Sequence, residues 1–94
     1  MRTLHWSSRF RRSFKRTVIL HPDLRRKILD AMDRLAEDPY ASELKTHKLK
    51  GEFEGTWACS VAYDLRIVFE FTENSQTRVQ EILLIDIGTH EEVY

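Results

Sequence analysis

A chain of 94 residues has the length of one small domain, taken here as residues 1–94, because chains this short rarely hold two independent cores. A hydrophobic fraction of 41% and a charged fraction of 32% exclude a disordered chain. The longest strongly apolar run, Ile82 to Ile85, is far below the ~20 residues of a membrane span, so no membrane partner is expected. Net charge is zero, yet residues 1–34 carry ten Lys and Arg against three Asp, while residues 35–94 carry five against twelve Asp and Glu. This asymmetry predicts a basic surface in the first third of the chain, suited to phosphate or to an acidic partner. The single cysteine, Cys59, excludes an internal disulfide and a cysteine-based zinc site, and favours the cytoplasm.

In chain order, residues 2–6 alternate and suit a short first strand. Ser7 or Ser8 can cap the helix that follows, whose apolar stripe is Phe10, Phe14 and Val18. Arg9, Arg12 and Arg16 share another face of that helix at three- and four-residue spacing. The chain breaks at His21-Pro22-Asp23, with Asp23 expected as the next N-cap. Leu24, Ile28, Met32 and Leu35 then stripe a second helix ending near Asp38-Pro39, and the two helices should form an antiparallel pair.

From about Thr46 the period becomes two. Trp57, Cys59 and Val61 alternate with Ala58, Ser60 and Ala62, and Leu65, Ile67 and Phe69 with Arg66 and Val68. Val79–Ile87 is apolar on both faces and reads as a central strand. The order β-α-α-β-β-β describes an α+β domain, a mostly antiparallel sheet with the N-terminal helix pair on one face.

Strand parity puts Ser60 and Arg66 on the face away from the helices, and a hairpin loop at residues 62–64 sets them opposite each other. An arginine within an apolar strand is open to two readings: a solvated outer face, or a clamp for phosphate. His90, just past Gly88 at the end of the central strand, is either an exposed loop histidine or a general acid or base. His47 sits among Lys45, Lys48 and Lys50, which form either a solvated loop or a grip on a polyanion. Asp64 fits a turn former or a site carboxylate. His47, Asp64, Asp86 and His90 lack metal-ligand spacing, so no metal is expected. Cys59 should be buried and inert.

The stretches His47-Lys48-Leu49-Lys50-Gly51, Gly55-Thr56-Trp57-Ala58-Cys59-Ser60-Val61, Asp64-Leu65-Arg66-Ile67-Val68-Phe69 and Gly88-Thr89-His90-Glu91-Glu92-Val93-Tyr94 resemble the RelE/ParE toxin superfamily, most closely its YafQ-like branch. The resemblance spans nearly the whole chain. It implies the toxin of a bacterial type II toxin–antitoxin pair: an endoribonuclease that cuts mRNA, usually on the ribosome, without metal or other cofactor. It also implies a cognate antitoxin, for which the basic first helix (Arg9, Arg12, Arg16) or the site itself is the docking surface. Carried over by position, His90 and His47 are acid–base residues, Asp64 a site carboxylate, Arg66 the contact to the scissile phosphate and Tyr94 a C-terminal aromatic. Lys48 and Lys50 would bind the RNA backbone. The chain departs from the YafQ-like pattern at Ser60, where that branch has a histidine, and RelE-like sites suggest that Arg66 substitutes for it. Two other classes stay open: a weak or inactive antitoxin-binding protein of the same fold, and a ParE-like toxin that binds gyrase.

Overall fold

A computed structural model describes residues 1–51 and 54–93, with Glu92 described by its backbone alone. The elements are β1 (Leu4–Trp6), α1 (Ser8–Leu20), α2 (Leu24–Glu37), a short 3-10 helix (Ser42–Leu44), β2 (His47–Lys48), β3 (Trp57–Ala62), β4 (Leu65–Glu73), β5 (Gln80–Thr89) and α3 (His90–Val93). The strands form one sheet in the order β1-β5-β4-β3-β2. Among the described residues only the β1–β5 pair is parallel; the other pairs are antiparallel. The fold is α+β with a mostly antiparallel sheet, as the alternation of periods predicts.

Ser7 caps α1. Its Oγ accepts from the Phe10 amide at 3.0 Å and donates to the Ile85 carbonyl at 3.0 Å, so one side chain starts the helix and ties it to β5. The expected stripe then faces the core, with Phe14 and Val18 partly buried. Phe10 is fully enclosed, and its ring meets Trp6 edge-on at 5.0 Å. Ile28, Met32 and Leu35 of α2 join it over Cys59, Ile67, Phe69, Ile82, Leu84 and Ile87 of the sheet. The two helices touch the sheet more than each other: α1 lies against β5, and α2 against β3.

Two readings need correction, and one residue has a partner that the sequence did not show. Asp23 makes no side-chain cap; its backbone is helical (φ −64°, ψ −21°), and the amides of Leu24 and Arg25 donate instead to the carbonyls of His21 and Pro22. The basic stretch around His47 contains a two-residue edge strand, paired with β3, where a loop was open as a reading. Asp86, weighed as a metal ligand, is buried in an ion pair: its Oδ2 lies 3.0 Å from Arg9 Nε, and its Oδ1 accepts from the Ile87 amide at 2.9 Å.

Cys59 is fully buried, and desolvation pushes its thiol up to about 12, against smaller opposing effects of a hydrogen bond with the Ile67 backbone and the Arg66 charge. The thiol should therefore resist alkylation at neutral pH in the native protein and react only after urea unfolds it. Rapid labelling of native protein would contradict this packing. Among the described residues, no helix is long and apolar enough to cross a membrane.

Candidate active site

The β3–β4 hairpin builds the centre of the site. Its register pairs Ser60 with Arg66 and Ala62 with Leu65, so a bulge at Val61 precedes a turn at Tyr63-Asp64. Cys59 and Ile67 point into the helix-side core, and alternation places Ser60 and Arg66 on the opposite face. The expected pairing of serine and arginine is present.

Arg66 is half-buried. Its Nη1 faces the carbonyls of Ala62 and Tyr63 at 3.3 Å and of Leu65 at 3.4 Å. Among the described residues its Nε and Nη2 have no hydrogen bond, so one edge of the guanidinium braces the turn while the other keeps its donors for an anion. On β5 the residue paired with Arg66 is Gly88, which has no side chain to cover that edge.

His90 follows two residues later and opens α3, with an exposed ring. Its backbone amide donates to Asp64 Oδ1 at 3.4 Å, which joins the end of β5 to the hairpin turn. Asp64 thus serves the turn and the histidine together.

His47 pairs with Ala58, and antiparallel partners share a face, so it projects on the same side as Ser60. Diagonal neighbours of this kind lie roughly 7–8 Å apart. His47 Nδ1 lies 3.0 Å from the Lys45 carbonyl. A carbonyl only accepts, so Nδ1 carries the proton and Nε2 is the basic nitrogen of the neutral ring. His47, Ser60 and Arg66 therefore follow one face of the sheet, ending at Gly88 and His90.

Other expected residues stand apart. Lys48 pairs with Trp57 on the helix side, its ammonium 5.4 Å from the centre of that ring, and does not join His47. Lys50 is exposed beyond β2. Arg9, Arg12 and Arg16 line a cleft of about 400 Å³ with Ser13 and Asp86, separate from the hairpin, where Arg9 is engaged by Asp86. Tyr94 lies outside the described residues. Sequence reasoning treated Tyr63 only as part of a turn, although it is 97% exposed at the hairpin tip. An aromatic residue where turn chemistry favours Gly, Asn or Asp was the available signal.

Among the described residues, no three His, Cys, Asp or Glu side chains gather in a way that could hold a metal ion. What the site offers is a partly desolvated cation, a hydroxyl opposite it and a histidine on either side. Such a set suits proton transfer around a phosphate.

The same architecture occurs in solved toxins. YafQ from E. coli strain BL21(DE3) superposes with a TM-score of 0.80 at 20% identity, covering 100% of this chain and 99% of that one. A YoeB/ParE toxin from Agrobacterium tumefaciens gives 0.76 at 20% identity, covering 94% and 98%. YafQ in the E. coli DinJ–YafQ complex gives 0.77 at 20% identity, covering 100% and 99%. No curated protein matches the chain by sequence. A family model described as the bacterial toxin YafQ of type II toxin–antitoxin systems matches residues 2–94. With that match over nearly its whole length, on a RelE-like fold, the chain belongs to the YafQ family of type II toxins.

Proposed function

We propose that this toxin is a metal-independent endoribonuclease that cuts mRNA on the ribosome and is held in check by a cognate antitoxin. The observation that carries the reading is Arg66, whose Nε and Nη2 have no hydrogen bond among the described residues, on the face shared by His47 and Ser60 and beside Gly88. The antitoxin is supported by the family and by the DinJ–YafQ complex of the E. coli relative. The 1–94 chain is then one toxin domain acting in the cytoplasm.

In the proposed reaction the RNA supplies its own nucleophile. A base removes the proton of the 2′-hydroxyl, the O2′–P bond forms, and the P–O5′ bond breaks as an acid protonates the leaving 5′-oxygen. The products are a 2′,3′-cyclic phosphate and a free 5′-hydroxyl. His90 and His47 take the acid and base roles. Arg66 meets the charge that accumulates on the phosphorane oxygens, and Ser60 donates beside it. Asp64 holds the His90 backbone against the hairpin.

Arg66→Gln tests this directly in a purified translation system. Removing a donor of this kind costs about 10²–10³ in rate, so the variant should cut mRNA at least about a hundredfold more slowly than wild type. A variant above a tenth of wild-type rate would remove Arg66 from the chemistry. A second reading is favoured by Ser60: with a serine where the YafQ-like branch has a histidine, the protein would bind its antitoxin and leave mRNA intact. Wild-type protein that folds, binds antitoxin and never cuts would select it.

A further inference from the structure

Tyr63 is the most exposed aromatic ring among the described residues, at 97%. It makes no ring contact within them, and the two-residue turn that carries it has no conformational need for an aromatic residue. The position of that turn gives the ring its meaning. The Tyr63 carbonyl lies 3.3 Å from Arg66 Nη1, and the next residue, Asp64, bonds the His90 amide. The ring is thus mounted on the piece of backbone that braces the candidate phosphate-binding cation and adjoins the candidate acid–base histidine.

Tyr63 also borders a cleft of about 350 Å³ on the helix side of the hairpin tip, whose lining joins Arg16, Leu20 and Leu24 of the two helices to Leu65 and Asp64. A cleft of this size falls in the range that encloses small flat ligands. Single-stranded RNA presents such ligands, since its unpaired bases have free π-faces that stack on aromatic side chains.

We propose that Tyr63 stacks on an unpaired base of the RNA next to the phosphate held by Arg66, and that it sets the base preference there. The inference rests on the ribonuclease reading above. Stacking tolerates every base but is stronger for larger rings, so the preference expected is for a purine. A protein segment could also cover an exposed aromatic, but the guanidinium under this turn suits a phosphate-bearing chain.

The test compares wild type, Tyr63→Ala and Tyr63→Trp on one mRNA in a purified translation system, with the fragment ends sequenced and the cutting rates measured. Tyr63→Ala should lower cutting efficiency by about tenfold or more, chiefly through KM, and flatten the purine preference beside the cut. Tyr63→Trp should keep both rate and preference, which a merely structural role would not explain. Tyr63→Ala cutting the same sites at the wild-type rate would overturn the proposal. So would Tyr63→Ala that cuts normally but escapes its antitoxin, since the ring would then belong to a protein interface. Wild-type protein that cuts nothing would remove the ribonuclease reading itself, a failure the wild-type arm shows separately.

Discussion

His90→Ala is expected to slow mRNA cleavage by about 10²–10⁴-fold, the usual loss when one general acid or base is removed. Stability should stay within about 0.5 kcal/mol, because the imidazole is exposed and an exposed substitution usually moves stability no further. The contact that ties this residue to Asp64 is made by its backbone amide, which alanine keeps. Activity and folding therefore separate at this position. Single-turnover cleavage measured beside urea unfolding checks both, and a variant with wild-type rate would take His90 out of the reaction.

Phe10→Ala should have the opposite profile. Phe10 is fully buried, meets Trp6 at 5.0 Å and stacks with Phe14 at 6.3 Å, all beneath the helix that Ser7 anchors to β5. Removing such a ring costs about 3–5 kcal/mol through lost burial and the cavity left behind. A domain of this size has only about 5–15 kcal/mol in total, so the variant should lose much of its stability and be partly unfolded when warmed. Urea titration should show a large fall in midpoint with little change in slope. Where the variant stays folded in the cold, its cleavage rate should approach wild type, since the ring is in the helix-side core, opposite the face of Ser60 and Arg66. A midpoint within experimental scatter of wild type would contradict the core described here.

Much of this fold was legible because its signals are local and periodic. Phe10, Phe14 and Val18 recur once per helical turn, and that stripe lies over the sheet. Cys59 and Ile67 alternate with Ser60 and Arg66, and alternation fixes which face each occupies once the hairpin closes. The Ser60–Arg66 pairing was expected from parity with a loop at residues 62–64; it is present, although the turn is only Tyr63-Asp64 and a bulge at Val61 makes up the register. The residue roles at His90, His47 and Arg66 came from family resemblance, because spacing in the chain does not show which side chains meet.

What escaped the sequence depends on partners far along the chain or on choices between equivalent local solutions. Asp86 interrupts the apolar run of β5 with no partner legible in the sequence, until Arg9, from the other end of the chain, neutralises it. Asp23 is a favourable capping residue by type, but the carbonyls of His21 and Pro22 already satisfy the helix start. Lys48 and His47 are adjacent, and a two-residue edge strand too short to show alternation sends them to opposite faces. The surface role of Arg12 and Arg16 stays an expectation tied to the antitoxin, while Arg9 is committed to the fold.

The central claim is that this toxin cuts RNA with His90 at its site. Primer extension on an mRNA under translation, with wild type, His90→Ala and wild type plus its antitoxin, tests it most directly. The account predicts new ends within codons in the wild-type lane, absent from the other two. Intact mRNA in all three lanes, from protein that folds and binds its antitoxin, would contradict it.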